Sequence, residues 1–309
     1  MPKRSCKARD VSGILLLDKQ AGVTSNQALQ QIKKLFAAAK AGHTGSLDPL
    51  ATGMLPVCLG SATRLSSYLL NSEKCYTVCG ELGLATDTGD AEGEVIQEDH
   101  RPSVSLAKIV STLEMFEGEI EQIPPMYSAL KHKGRRLYEF ARRGIEVERT
   151  PRRVHISSIT LVRYQWPQLV FTVSCSKGTY IRTLVQDFAI KLGTCGHVHA
   201  LHRNAVLPFR EEQMLDLPMI RRRAEEGFSR LDELLLPADG ALADWPRIVM
   251  SDAKRSQLVH GQPVEAEPQW PRTRVRLYSS SESFFGIGEV LVEGKLVPRK
   301  ILAGPSPWN

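Results

Sequence analysis

Helical and strand-like hydrophobic patterns are interleaved along this chain, without the regular βαβ order of a doubly wound sheet. Apolar residues at helical spacing predict four helices, over residues 29–39, 106–116, 181–192 and 251–259. Alternating apolar and polar residues predict strands over residues 76–84, 154–162 and 169–175 and a hairpin over 288–297. This order favours a mixed α/β (α+β) fold.

Short polar residues and glycines mark the ends of these helices. Thr24 or Ser25 is expected to cap the first helix, and Gly178 or Thr179 the third. Gly193 follows the third helix at a position that favours glycine.

The length of 309 residues predicts about two domains at roughly 150 residues each. Residues 1–10 are interpreted as a basic flexible tail and residues 11–245 as the larger domain. Residues 237–246 contain two prolines and a glycine and are expected to form a linker. Residues 246–309, with mostly short strand patterns, are expected to form a small β-rich domain.

The composition is that of a globular protein, with 42% hydrophobic and 24% charged residues. Its apolar runs are too short for a membrane-spanning helix, and the apolar stretch at residues 14–17 is too short for a secretory signal. Six cysteines scattered over this length predict reduced thiols and a cytoplasmic location.

Positive charge is concentrated in residues 131–153, which hold nine Lys or Arg and three Glu within a chain of net charge +6. Such a run is either a solvated surface segment or a patch that neutralises phosphates. The sequence pattern alone leaves both interpretations open.

Two patterns are discounted as cofactor or metal sites. Residues 286–288 form a lone GxG without the third glycine and helix of a dinucleotide site. In residues 195–202, His197 and His199 share one face of a strand with Cys195, but no second ligand cluster exists and no acidic ligand is expected to be close. These imidazoles are therefore interpreted as ordinary histidines, and no metal site is expected.

Residues 41–53 form a glycine-rich loop that carries His43 and Asp48. Because Pro49 restricts the backbone of the residue before it, it helps to fix the direction of the Asp48 carboxylate. The loop is either an ordinary Asp-Pro turn or the frame of a catalytic carboxylate. Arg182, in the first turn of the third helix, is a candidate cation that could keep this carboxylate ionised, although spacing alone does not bring the two together.

An ordered set of motifs resembles the TruB-type tRNA pseudouridine-55 synthases over residues 11–215. The matching segments are residues 13–25 (GILLLDKQAGVTS), 42–53 (GHTGSLDPLATG), 74–76 (KCY), 86–93 (TDTGDAEG), 124–129 (PPMYSA) and 178–182 (GTYIR), with Leu201. Residues 246–309 are similar to a PUA-type RNA-binding module. One departure is His202, where the family usually has arginine after the leucine; Arg203 follows it.

The resemblance implies a pseudouridine synthase fold with a central mixed or antiparallel sheet, and an isomerase that converts uridine 55 in the TΨC loop of tRNA. It implies that the target nucleotide is flipped into a pocket, and that no cofactor or metal is used. It also implies catalytic roles for Asp48, Arg182 and Tyr76, and a substrate pocket with Tyr76, His43, Tyr180, Leu201, Lys19 and Asp90. Within it, Lys19 is expected to support the loop or contact a phosphate, Asp90 to orient neighbouring groups, and His43 to fill the space left by the flipped base or contact the nucleotide.

The resemblance further implies that residues 124–153 are an RNA-contacting insertion within the catalytic domain. Its candidate phosphate contacts are Arg142, Arg143, Arg152 and Arg153. The expected partner is the TΨC stem-loop of tRNA, with no membrane association, no obligatory protein partner and a monomeric enzyme.

Three alternatives remain open at this point. A guide-RNA-dependent synthase of the dyskerin type shares the aspartate motif, but the basic insertion favours an enzyme that recognises tRNA itself. An RNA-binding protein with a vestigial pocket is disfavoured by the presence of Asp48, Tyr76 and Arg182. An aspartate-based hydrolase lacks an evident second carboxylate.

Overall fold

The computed structural model describes residues 8–100 and 103–302. Within these ranges, no helix is long and apolar enough to cross a membrane. Residues 1–7 of the expected flexible tail lie outside the described ranges. At Arg9 the chain is already held, because its backbone bonds to Ala37 and Ala39 and its guanidinium pairs with Asp232.

The strands are β1 Gly13–Lys19, β2 Ala41–His43, β3 Thr52–Leu59, β4 Lys74–Leu82, β5 Leu84–Thr86, β6 Val95–Glu98, β7 Gly118–Gln122, β8 Lys131–His132, β9 Arg135–Arg136, β10 Arg152–Gln165, β11 Gln168–Cys175, β12 Gly196–Val206, β13 Arg247–Val249, β14 Val264–Glu265, β15 Arg274–Tyr278, β16 Phe284–Val290 and β17 Lys295–Ile301. The α-helices are α1 Ser25–Leu35, α2 Ser66–Asn71, α3 Leu106–Glu114, α4 Leu137–Ala141, α5 Ile181–Lys191, α6 Leu217–Glu225, α7 Phe228–Asp232 and α8 Asp252–Val259. Short 3-10 helices cover Gly60–Leu65, Glu211–Gln213 and Ala238–Leu242.

The main sheet has eight strands in the order β1-β3-β12-β4-β11-β10-β7, with β2 beside β3. Its neighbours are antiparallel except for β3 and β12, which are parallel and meet through only two residue pairs, His202 with Thr52 and Arg203 with Gly53. This narrow seam divides the sheet into a half with β1–β3 and a half with β4, β7, β10, β11 and β12. The expected mixed sheet is confirmed.

Helices cover the two halves of the sheet separately. Helices α3 and α5 pack their apolar side chains against β4, β10 and β11. Helices α1 and α6 pack against β1 and β3. The two functional segments expected from the sequence, the 41–53 loop and the start of α5, therefore come from different halves.

Local signals located most helix ends. Thr24 caps α1 through a capping box with Gln27, as expected. The helix ends at Leu35 and not at Ala39, because the backbone turns at Ala37, where φ is 47°. The expected cap of α5 is wrong: its N-cap is Tyr180, which makes no side-chain capping bond, and Thr179 instead donates to the Ser176 carbonyl at 2.9 Å.

Residues 247–301 form a separate five-stranded sheet, ordered β13-β15-β16-β17-β14. The expected hairpin is confirmed, with β16 and β17 antiparallel and Gly294 in the connection at a φ of 77°. Residues 237–246 are not an extended linker. Their 3-10 helix buries Ala241 and Leu242 in an apolar cluster that also contains Met54 and Ile287, because these side chains meet both sheets.

Candidate active site

The loop that carries Asp48 connects β2 to β3 and is held at several points. The Ser25 hydroxyl at the start of α1 accepts from the Leu47 N–H at 2.8 Å and donates to the Leu47 carbonyl at 3.0 Å. The Ala51 N–H closes a turn on the Asp48 carbonyl at 3.1 Å. The backbone on both sides of Asp48 is therefore fixed.

Arg182 meets Asp48 side-on, although 134 positions separate them in the sequence. Its Nε lies 2.9 Å from Oδ2 of Asp48, and its Nη2 lies 3.3 Å from Oδ1. The Arg182 side chain is 6% exposed and that of Asp48 is 40% exposed. The geometry thus leaves one side of the carboxylate open while the guanidinium holds the other.

The remaining donors of Arg182 are also occupied. Its Nη1 donates to the Thr88 carbonyl at 2.8 Å and its Nη2 to the Tyr127 carbonyl at 2.6 Å. Its Nη1 lies 3.7 Å from Oδ2 of Asp90, which is buried and bonded to Thr88 Oγ1 at 2.7 Å. Asp90 therefore touches the arginine that binds Asp48 and helps to orient it.

The electrostatics of the loop favour a carboxylate that gains a proton more easily than usual. Burial raises the pKa of Asp48 above its ordinary value, and the guanidinium of Arg182 opposes this shift. The carboxylate of Asp90 raises the pKa of Asp48 further. A charge in such surroundings is more reactive than one that is fully hydrated.

Lys19 is buried beside the loop and binds its backbone. Its side chain is 1% exposed, and its Nζ donates to the carbonyls of Gln20 at 2.8 Å, Val23 at 2.6 Å and Pro49 at 3.2 Å. Burial lowers the pKa of Lys19 to about 8. This placement fits a role in holding the backbone next to Asp48 and not a direct contact with phosphate.

Arg203 was noted in the sequence only as the residue after His202 and was not predicted to belong to the site. It is 1% exposed, and its guanidinium donates to the carbonyls of Met54 at 2.7 Å and Gly45 at 2.9 Å. On the adjacent strand, Tyr76 lies directly opposite Arg203. The available signal in the sequence was that Arg203 stands one position after the place where the family usually has arginine.

Tyr76 and Leu201 belong to the same buried cluster as Leu47 and Ala51, which flank Asp48. Burial raises the pKa of the Tyr76 phenol, so it remains protonated. Tyr180 directly precedes α5, where its N–H donates to Oε1 of Gln122 at 3.0 Å. These side chains converge on the loop.

His43 ends β2 and lies within the same region. Burial lowers the pKa of its imidazole, and the positive charge of Arg203 adds to the effect. The ring is therefore held neutral, and its buried Nδ1 is left without a hydrogen-bond partner among the described residues.

A cavity of about 490 Å³ opens beside this loop. It is bordered by Leu50 and Thr52 from one half of the sheet and by Thr77, Leu201 and His202 from the other. Ligand pockets in proteins usually have volumes of about 300–1,000 Å³. The cavity is large enough for one nucleotide, and its lining includes His199 and Glu92 but neither Asp48 nor Tyr76.

The four candidate RNA-contacting arginines are exposed and lie in two places. Arg142 and Arg143 directly follow α4, with Arg142 over the Tyr138 ring at 5.4 Å. Arg152 and Arg153 begin β10, where Arg153 lies 3.5 Å from a Glu121 carboxylate oxygen. The segment is thus a small folded unit, with the β8–β9 hairpin and α4, and not an open loop.

The histidine run at residues 195–202 differs from expectation in one respect. The expectation that no acidic ligand lies near these histidines is wrong. Strand β4 runs beside β12 and brings Glu81 to His197 and His199. Spacing along one strand did not reveal this cross-strand neighbour.

Family comparisons cover almost the whole chain. The family described as "TruB family pseudouridylate synthase (N terminal domain)" matches residues 33–181. "tRNA pseudouridylate synthase B C-terminal domain" matches residues 182–243, and "Pseudouridine synthase II TruB, C-terminal" matches residues 246–302.

Individual proteins agree with these matches. The chain is 45% identical over 311 residues to tRNA pseudouridine synthase B of Sodalis glossinidius (strain morsitans), covering 99% of each chain. It is 48% identical over 297 residues to tRNA pseudouridine synthase B of Pseudomonas fluorescens (strain Pf0-1), covering 95% of this chain and 96% of that one.

A solved structure shares the fold. The structure titled "Crystal Structure of a Cbf5-Nop10-Gar1 Complex" contains a chain with a TM-score of 0.73 and 24% identity, covering 94% of this chain and 85% of that one. The pseudouridine synthase fold expected from the sequence is confirmed. With its motifs matched in sequence and its fold matched in structure, the chain belongs to the TruB family of pseudouridine synthases.

Proposed function

We propose that this chain converts uridine 55 in the TΨC loop of tRNA to pseudouridine, with Asp48 as the catalytic carboxylate. As a TruB-family pseudouridine synthase it is an isomerase, and tRNA is the substrate in the names of its relatives. The observation that carries the proposal is the side-on pair of Arg182 with Asp48, at 2.9 Å and 3.3 Å.

The reaction needs a charged carboxylate and no external reagent. The N1–C1′ bond of uridine breaks, a C5–C1′ bond forms, and the proton lost from C5 is balanced by one gained at N1. Asp48 acts at the sugar, as nucleophile or as base, and either role requires its ionised form. Arg182 supports that form, because its guanidinium pairs with both carboxylate oxygens.

Access to the glycosidic bond requires the nucleotide to leave the RNA loop. The accessible Asp48 side chain, which is 40% exposed and is flanked by residues of the cluster that contains Tyr76 and Leu201, supports this step. Tyr76 then stacks on the uracil, and Tyr180 and Leu201 line the pocket. His43 takes up the space left by the flipped base or contacts the substrate nucleotide.

The charge of residues 131–153 supports direct recognition of the TΨC stem-loop by a monomeric enzyme. The exposed Arg142, Arg143, Arg152 and Arg153 are the proposed phosphate contacts. The C-terminal sheet is proposed to bind RNA as a PUA-like domain. We place the reaction in the cytoplasm, where cysteine thiols stay reduced.

The test uses purified protein and an unmodified tRNA transcript labelled with tritium at C5 of uridine. We expect one tritium released per tRNA, without guide RNA or protein partner, and pseudouridine mapped at position 55. A transcript with cytidine at position 55 serves as the control and should release none. Release only after addition of a guide RNA and partner proteins would contradict the proposal and favour a guided enzyme.

A further inference from the structure

Glu81, His197 and His199 converge on one side of the main sheet. Glu81 lies opposite His197 in the antiparallel pairing of β4 with β12. An irregularity between Val198 and Ala200 includes His199. One ligand atom from each of the three side chains lies within 4.8 Å of the other two.

The hydrogen bonds of the cluster prepare its histidines as ligands. Nδ1 of His197 lies 3.0 Å from the Leu84 carbonyl oxygen. Because a carbonyl oxygen only accepts, Nδ1 carries the proton and Nε2 keeps its lone pair. Histidine ligands in metal sites commonly donate their second nitrogen to a backbone carbonyl in this way.

His199 completes the set through its contact with Glu81. Its Nδ1 lies 3.1 Å from Oε2 of Glu81, and its side chain is 47% exposed. This distance alone describes a surface ion pair. A simple ion pair does not involve a second imidazole. Here the buried ring of His197, oriented by the Leu84 carbonyl, adds a third donor.

We propose that Glu81, His197 and His199 bind one divalent transition-metal ion of the Zn²⁺ type. Two imidazoles and one carboxylate are a donor set that Zn²⁺ accepts, with a fourth position left for water. The ion joins β4 to β12. Since successive strand residues point to opposite faces, Tyr76 and Glu81 lie on opposite faces of β4, whereas His199 borders the cavity of about 490 Å³.

The experiment measures binding of Zn²⁺ alone to the untagged, metal-free, full-length protein by calorimetry. We expect one ion per chain, and an affinity at least about tenfold lower in His199→Ala and in Glu81→Gln. Both substitutions are at side chains that are not fully buried, and circular dichroism checks that the variants fold.

His155→Ala is the matched control. Its Nδ1 lies 3.1 Å from Oε1 of Glu119, the same distance as in the His199–Glu81 pair, but no third ligand joins this pair among the residues that the structure describes. This variant should bind Zn²⁺ as the wild type does. Equal affinity of wild type and His199→Ala, or loss of binding in His155→Ala, would overturn the proposal.

The absorption spectrum of the Co²⁺-substituted protein identifies the ligands. Nitrogen and oxygen donors give visible d–d bands without a thiolate-to-cobalt charge-transfer band, and we expect His199→Ala to lose the d–d bands. A charge-transfer band would show that a cysteine such as Cys79 holds the ion and would overturn the assignment. Absence of any Zn²⁺ binding by the wild type would do so as well.

Discussion

The guanidinium of Arg203 on β12 donates a hydrogen bond of 2.9 Å to the backbone oxygen of Gly45, in the loop that carries Asp48. A second bond of 2.7 Å joins Arg203 to the Met54 carbonyl at the start of β3. One buried side chain thus fixes both the entrance and the exit of the loop. The position of the Asp48 carboxylate depends on a residue that does not touch it.

We expect Arg203→Ala to lower the free energy of unfolding by about 3–5 kcal/mol, because it leaves two carbonyls without donors and a cavity in the sheet. The stability of Arg203→Lys should fall between that of the wild type and that of Arg203→Ala, since one ammonium cannot span both carbonyls. Urea unfolding measures the effect. Arg163→Ala, at an exposed position on β10, is the control and should change stability by less than about 0.5 kcal/mol.

Asp48→Asn should reduce pseudouridine formation by about a thousandfold or more while tRNA affinity stays within a few-fold of the wild type. Asparagine keeps the shape of the side chain and removes its charge. Single-turnover assays and filter binding measure the two quantities. Asp244→Asn, at an exposed carboxylate, should change neither. Appreciable turnover by Asp48→Asn would remove this residue from the chemistry.

The single-turnover rate should rise with pH, with a midpoint above the ordinary aspartate pKa of 3.8, because burial raises the pKa of Asp48 and the reaction needs the ionised form. The raised pKa of Asp48 also affects the free energy of unfolding, which should fall with rising pH while the rate increases. A carboxyl that binds its proton more tightly in the folded state makes the protein less stable as pH rises through this interval. A rate midpoint at or below 3.8 would contradict the expectation.

Replacing Arg142, Arg143, Arg152 and Arg153 with alanine should weaken tRNA binding and flatten its dependence on salt. Removing one arginine that neutralises a phosphate lowers the slope of log affinity against log salt by roughly one unit. The bound complex should react at close to the normal rate, since Asp48 and Arg182 are unchanged. The double variant Arg223→Ala/Arg230→Ala, at arginines paired with Glu226 and Glu233, is the control. An unaltered slope would place the RNA on another surface.

Activity should persist in EDTA and without added nucleotide. The reaction rearranges bonds within one nucleoside, and the Glu81–His197–His199 cluster lies on the opposite face of β4 from Tyr76. Tritium release before and after dialysis against chelator measures this. Reversible loss of the reaction on dialysis would assign a catalytic part to a metal ion.

The sequence predicted elements best where short-range signals act. The Thr24 cap and Gly193 after α5 each depend on a few neighbouring residues, and both are confirmed. The strands β1 and β3 were not predicted. They are buried along nearly their whole length, so apolar and polar residues do not alternate in them as they do in half-exposed strands.

In the candidate site, too, short-range motifs were recognised and long-range contacts were not. Asp48 and Arg182 were recognised from motifs, but their contact depends on how two halves of a sheet assemble. Arg203 and Glu81 were missed because their partners lie across strand pairs. The register of β12 against β4 and β3 determines these contacts, and that register is a long-range property.

The seam between β3 and β12 places the backbones of Gly53 and Arg203 so close together that a Cβ atom at position 53 would lie 2.4 Å from the Arg203 carbonyl oxygen. Any side chain there would act as a wedge between the halves. Asp48 belongs to one half and Arg182 to the other, so a wedge would pull carboxylate and guanidinium apart. The distance between the Asp48 carboxylate and the Arg182 guanidinium therefore reports how closely the two halves of the sheet pack.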